Sequence, residues 1–450
     1  MSWWTRWRTY EYVRNSLWIV PLLFVAFAIG LGIALPVIDQ HTTRRIGISF
    51  GSAGATGVLG AIAGGMITFT GFVFSILLLA VQFGSSQFSP RLLRRFLRDP
   101  TTKAAFGTFI ATFVYALMVL RVVGTGPNHD FVPDNSVSVS LYMLLASMLM
   151  FLRLVSRTTQ GLRVATVVSE LGRDGRQIVD QSYPDAVNDL DDDRTQPSPS
   201  GTVRTIRHRF ESGILQSVGI DALVVYAQKS DTVIELVPRI GDLIATGDPI
   251  FRVYGNQSHD ATDDNRLQKA LAVGDERTMK QDPPFVFRLL ADISSKALSP
   301  GVNDPTTSIQ ALDQINLLLR MIGNRRLDTG VVRDSEGTIR FWRQVPSWDD
   351  YVRLALVETH QYGVGSVQVM RRIRALLEDV RDHVPEFRRA AVDAELELVA
   401  AAARRSFADP GDQQAAATAD RQGLGATAIA PPPADEKLTD DQRVADGNDQ

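Results

Sequence analysis

VLGAIAGGMITFTGFVFSILLLAVQF, residues 58–83, contains no charged side chain, and the charge-free stretch around it extends over residues 46–90. A helix needs roughly 20 apolar residues to cross ~30 Å of hydrocarbon, so this run reads as a membrane span. Soluble helices of such length carry a polar face, and this one has none. Small or hydroxylated residues recur along it: Gly57, Gly60, Gly64, Thr68, Gly71 and Ser75, with Gln82 two turns further on. Steps of three and four place all seven on one helix face. Small stripes let helix backbones approach closely in lipid, so the face is a candidate helix-packing surface or the lining of a pore.

Working outward, charge-free runs at 17–38, 104–120 and 135–152 give three more spans. The last two are short, and Arg121 and Arg153 can snorkel from their ends. No Asp, Glu, Lys or His lies inside these four runs, which disfavours a pump built on intramembrane carboxylates. The segment between spans two and three carries Arg91, Arg94, Arg95, Arg98 and Lys103 against Asp99. Between spans three and four, Arg121 is accompanied by Asp130 and Asp134. Arg6, Arg8 and Arg14 precede span one, and Arg153, Arg157 and Arg163 close span four. Positive-inside bias therefore predicts a multi-pass protein of the bacterial inner membrane with both termini cytoplasmic. Arg44 and Arg45 fall on the wrong side of this arrangement. Trp3, Trp4, Trp7, Tyr10 and Tyr12 read as an interfacial start.

Overall composition conceals this division. The 450 residues are 45% hydrophobic and 22% charged, with a formal net charge of −3. Residues 1–163 hold 14 Lys+Arg and 5 Asp+Glu, whereas residues 164–450 hold 33 and 45. A basic membrane domain thus precedes an acidic soluble part. With no cysteine, disulfides, thiol catalysis and cysteine metal centres are excluded. The six histidines form no HExxH or His-x-His pairing, so no metal site is expected. Of the basic residues 41 are Arg, a usage that does not call for a nucleic-acid partner.

After the membrane domain, 1–163, the pattern predicts a juxtamembrane helix and an acidic linker over 164–200. Asp189, Asp191 and Asp193 imitate the start of a calcium loop, but Arg194 and Ser200 stand where the loop needs glycine and glutamate. Residues 201–256 are β-rich, with strands expected at 214–218, 222–227, 232–238 and 249–254. Within them GDLIATGDPI, residues 241–250, resembles the closing hairpin of a biotinyl/lipoyl-type barrel-sandwich domain, which implies a small β-barrel. In such carriers a lysine on a hairpin tip is modified. Here Lys229 lies between Gln228 and Ser230, outside that setting, and no covalent cofactor is expected.

Residues 257–407 read as a helical domain, and 408–450 as a disordered acidic tail. Asp282-Pro283 and Asp304-Pro305 are two helix starts of one kind, an N-cap carboxylate followed by proline. The helices they open form a hairpin with a tight corner at 298–307. Arg277, Arg288, Asp292, Lys296, Asn303, Asp304 and Thr306 make a polar cluster near that corner. Its simplest role is an ion-pair ladder with capped ends; its functional alternative is a ligand site. Neither a phosphate-cradling glycine loop nor a nucleophile elbow nor a kinase signature accompanies it, so no enzyme is expected.

Two longer runs, FGSSQFSPRLLRRFLRD at 83–99 and DISSKALSPGVNDPTT at 292–307, resemble a bacterial family of predicted membrane proteins, domain-of-unknown-function family 2254. The likeness extends over about residues 17–405. It implies the four-span topology and brings no catalytic residues. The fold class expected is therefore a membrane α-helical domain of four transmembrane helices, followed by a cytoplasmic α+β region with a small β-barrel and a helical domain. The function expected is an oligomeric channel or transport-type pore under cytoplasmic regulation. The alternative is a membrane-anchored scaffold or sensor that binds a protein partner or small ligand, with a membrane enzyme third. The lipid bilayer and further copies of the chain are the expected partners.

Overall fold

The computed structural model describes residues 16–41, 48–87, 99–125, 131–161, 163–188, 201–255 and 261–425. The aromatic start at 3–12, Arg44 and Arg45, the arginines at 91–98 and the linker aspartates at 189–193 lie outside these residues.

Among the described residues, four helices are long and apolar enough to cross a membrane: α1 (Ile19–His41), α2 (Ser52–Gln87), α3 (Pro100–Leu120) and α4 (Asp134–Gly161). Helix α3 is central, with 56% of its most apolar window buried against 22–28% in the others. Phe109, Tyr115, Leu59 and Val137 pack at the centre of the bundle. Outward the helices present Leu22, Leu23, Phe27, Phe72, Leu79, Leu145, Leu149 and Leu152, the apolar surface a bilayer requires.

Polar groups inside the bundle are satisfied. Thr112 and Ser147 pair through their hydroxyls at 2.9 Å between α3 and α4. Asp39, at the end of α1, accepts from Asn135 Nδ2, Ser136 N and Ser136 Oγ at 2.7–2.9 Å. Asp134 accepts from the amide of Phe50, and Ser138 Oγ from that of Ile48. Carboxylates of α1 and α4 thus fasten the start of α4 to the end of α1 and the approach to α2.

Helix α5 (Val164–Ser182) follows α4 closely in the chain. The junction is closed by bonds from Arg163 N to Gln160 O and from Val167 N to Arg163 O. Arg157 of α4 lies 3.6 Å from both Asp99, the N-cap of α3, and Glu170 of α5. Helix α5 belongs to the C-terminal core through Val167, Val168, Leu171 and Val179.

That core is helical: α8 (Pro283–Ala297), α9 (Pro305–Ile322), α10 (Trp348–Gly363), α11 (Val367–His383) and α12 (Arg389–Ser406) enclose Phe287, Leu290, Leu312, Tyr351 and Leu376. Gln314 meets Arg176 and Arg325 meets Asp180, so α9 runs beside α5 in the same direction. By that register the first half of α9 lies beside the first half of α5.

The β-rich part holds β1 (Val203–Arg207), β2 (Gly213–Val218), α6 (Ile220–Lys229), β3 (Val233–Leu236), β4 (Leu243–Ile244), β5 (Pro249–Tyr254), α7 (Ala261–Gln268) and β6 (Leu271–Gly274), and later β7 (Val331–Arg333) and β8 (Ile339–Arg343). These form two open sheets, in orders β1-β5-β3-β8-β7 and β4-β2-β6. The expected barrel is corrected accordingly. Gly241 and Gly247 do take positive φ, +96° and +97°. The strands they bound nevertheless diverge: β4 pairs with β2, while β5 pairs with β1 and β3. Residues 222–227, expected as a strand, lie in α6, because Leu223 and Ala227 are buried one helical turn apart while Val225 faces out. Lys229 ends that helix rather than a hairpin.

Strand β8 pairs in parallel with β3, Ile234 opposite Phe341. The sheet therefore crosses the expected boundary at 256/257. Order also extends beyond the expected limit at 407, through α13 (Pro410–Ala416) to Gly425.

Candidate functional site

Helix α2 divides cleanly into two faces. Ala55, Leu59, Ile62, Ala63, Met66, Val73 and Leu77 are buried against the bundle. Gly57, Gly60, Gly64, Thr68, Gly71, Ser75 and Gln82 are all exposed. A Cβ built on Gly57, Gly60, Gly64 or Gly71 would meet no atom within 4 Å. Among the described residues, nothing packs against these four glycines. Its hydroxyls bond back along the helix, Thr68 Oγ1 to Gly64 O at 3.1 Å and Ser75 Oγ to Gly71 O at 3.0 Å. Such bonds spend the hydroxyl protons and leave oxygen lone pairs on the outer surface.

The polar cluster of the C-terminal region divides into three groups. At the start of α8, Arg277 forms a bidentate pair with Asp282, 2.9 Å from NH2 to Oδ1, and stacks 5.2 Å over the Phe285 ring. Asp282 closes no side-chain capping bond, so its expected capping role falls to this ion pair. Burial raises the Asp282 carboxyl above the usual range, against the pull of Arg277.

Mid-helix, Arg288 donates to Asp292 at 2.6 Å and bidentately to Glu358 of α10. The bond to Arg288 draws Glu358 below the usual carboxylate range. Lys296 follows one turn beyond Asp292. At the corner, Asp304 caps α9 by accepting from Thr307 N at 3.1 Å and Thr307 Oγ1 at 2.5 Å. Asn303 turns the chain with φ +46°, and Thr306 is exposed in the first turn. Below the corner Ser294 and Ser308 meet at 2.6 Å, both buried, where α8 crosses α9. Helix α8 has 15 residues, so the Arg277 pair and the corner stand about 22 Å apart at 1.5 Å per residue. They cannot converge on one small ligand.

Sequence reasoning missed Glu358, Asp39 and the Arg157 bridge. Each joins elements far apart in the chain, and no local spacing announces it.

Four helices with membrane-crossing length and hydropathy, joined through α5 to an α+β region, define the class of the molecule. The chain belongs to the family described as Predicted membrane protein (DUF2254), whose profile matches residues 14–379. It is similar to an uncharacterised protein of Mycobacterium tuberculosis (strain CDC 1551), 31% identical over 436 residues, covering 94% of this chain and 84% of that one. An uncharacterised protein of Mycobacterium bovis shows the same identity and coverage. No solved structure matches.

Proposed function

We propose that copies of this chain assemble in the inner membrane through the exposed face of α2, and that the assembled face lines a transport path. The observation that carries this reading is the outward stripe from Gly57 to Ser75, whose glycines meet none of the described residues, on an otherwise apolar helix. Close approach of backbones at small-xxx-small spacing is a recurrent way for helices to associate in lipid. Hydroxyl lone pairs on the same face supply polar groups along the path.

On this reading the C-terminal region is cytoplasmic and regulates the path. It hangs from the end of the bundle that bears Lys103, Arg153 and Arg157, while Asp39 and Asp134 lie at the opposite end. Positive-inside bias favours that orientation. Movement of the C-terminal core would reach the bundle through the short α4–α5 elbow and the Arg157 bridge.

The absence of cysteine makes the test clean. Single-cysteine variants Gly60→Cys and Gly64→Cys should form disulfide-linked dimers in membranes, whereas Leu149→Cys on the exposed apolar surface of α4 should not. Purified protein in vesicles should pass ions or small solutes, and Thr68→Leu or Ser75→Leu should cut the flux at least tenfold. Assembly without flux would eliminate the pore and leave a packing face. A monomer in native membranes would eliminate both.

A further inference from the structure

Beyond α12 the chain turns back along α11. Residues 408–425 hold α13 and a turn organised by Asp420. Asp420 Oδ1 accepts from the amides of Gln422 and Gly423 at 3.0 and 3.1 Å, and Oδ2 from that of Gly425 at 2.7 Å. Three side chains of α11 hold this segment by its main chain. Gln368 donates to Gly423 O at 2.7 Å, and Arg371 to Thr418 O at 3.3 Å and Gly425 O at 3.0 Å. Arg372 donates to Arg421 O at 2.7 Å.

The segment has little apolar anchorage. Within 408–425 only Ala416, Asp420 and Gly423 are buried, and Leu424 stays 72% exposed. Segments with few buried apolar contacts open at low free energy. The group beneath is of another kind. Arg371 is 4% exposed, and its hydrogen bonds among the described residues go to neutral carbonyls alone. Neighbouring Arg372 has one carboxylate partner, Asp313, at 2.8 Å, itself 44% exposed at the side chain. Asp420, the nearest acid in the covering segment, has both oxygens engaged by amides of its own turn. A buried guanidinium without a carboxylate partner is costly, and an oxyanion is the partner that relieves it best.

We propose that residues 408–425 form a releasable strap over an oxyanion site, and that Arg371 and Arg372 bind a phosphate group when the strap lifts. The strap's carbonyls stand in for that group in the closed state. Two guanidinium forks offer more donors than a single carboxylate can accept, which favours phosphate. The phosphate can come from a lipid headgroup or from a soluble ligand. The site adjoins the first half of α9, through Ile309 and Asp313.

The full-length chain supplies the test. Gly423 has φ +70°, and a Cβ there would lie 2.7 Å from Ile309 Cγ2, so Gly423→Val should unseat the strap. Asp420→Asn should loosen it by weakening three amide bonds, and serves if the valine variant does not fold. Either should speed hydrogen exchange over 410–425 at least tenfold. In detergent, calorimetric titration with inorganic phosphate should show at least tenfold tighter binding than wild type. Adding Arg371→Gln should abolish that gain while the strap remains fast.

In nanodiscs, protection of 367–376 by phosphatidylglycerol over phosphatidylcholine would mark a headgroup. The same protection by inorganic phosphate in phosphatidylcholine alone would mark a soluble ligand. A freed strap with neither response would overturn the proposal. So would a strap that exchanges, in both variants, only as fast as the whole chain unfolds.

Discussion

Glycine is used in opposite ways on two helices, α5 of the C-terminal region and α2 of the bundle. On α5, Gly172 and Gly175 are filled contacts: a Cβ on Gly175 would lie 2.7 Å from Val286 Cγ1 and 3.1 Å from Leu318 Cδ1, and one on Gly172 would collide with Gln314. On α2, Gly57, Gly60, Gly64 and Gly71 face open space. Both helices show small residues at three- and four-residue steps. In α5 the chain itself supplies the partner helices, α8 and α9. In α2 none of the described residues supplies one. Spacing therefore identifies a face capable of close approach, and the rest of the fold decides whether the approach has already been made.

The largest expected effect exploits that difference. Gly175→Leu forces a branched side chain between α8 and α9, where overpacking costs about 1–3 kcal/mol or more. Thermal unfolding in detergent should show a clear loss of stability. Gly64→Leu meets none of the described residues, so the same measurement should show no loss, and helix propensity alone should add roughly 1 kcal/mol. Equal destabilisation at the two positions would break the comparison. Light scattering of the Gly64→Leu protein should instead show fewer subunits per particle than wild type.

An intermediate effect is expected at the helix starts that hold each region together. Asp304→Ala removes the cap of α9 and should cost about 1 kcal/mol. Asp39→Ala strips three donors, Asn135 Nδ2, Ser136 N and Ser136 Oγ, of their acceptor at the start of α4. Leaving a partly buried donor unsatisfied costs about 1–3 kcal/mol, so its loss should exceed that of the α9 cap. Unfolding measured on both variants ranks them directly.

How much of this was legible in the sequence follows from the range of the interactions. Charge-free runs fix spans because the bilayer imposes one length on each of them, and 58–83 and 104–120 lie within α2 and α3. The Asp304-Pro305 start was legible because capping is local. Asp282 bore the same signature, yet its carboxylate turns to Arg277, a choice made by the buried position between the sheet and α8. The strand expected at 222–227 became α6 because burial of Leu223 and Ala227 outweighed the β-preference of Val224 and Val225. The barrel failed because β8 enters the sheet from about 100 residues away, and no local pattern encodes a parallel pairing at that distance. Of the candidate sites, the α2 stripe was legible as a face; its exposure was not, since exposure depends on where α3 packs.

The smallest effect separates the two regions by pH, through two shifted carboxylates on helices of the C-terminal core, Glu358 of α10 and Asp282 at the start of α8. Glu358 is depressed by Arg288, so the pair contributes stability above the unfolded value of about 4.3 that is lost as pH falls through the lower folded value. Asp282 has the opposite sign: burial raises it, so stability is gained as pH falls from its folded value towards about 3.9. Glu358→Gln should therefore flatten the acid limb below about pH 4, and Asp282→Asn the limb just above it. Glu358 is partly exposed and solvent screens its pair, so its share should be a fraction of a kcal/mol. Hydrogen exchange between pH 3 and 6, resolved by peptide, reads both limbs. The changes should appear in α8 and α10 and leave α2 and α3 unmoved. Acid-dependent opening that began instead in the bundle would overturn the division between a charge-paired C-terminal core and an uncharged membrane face.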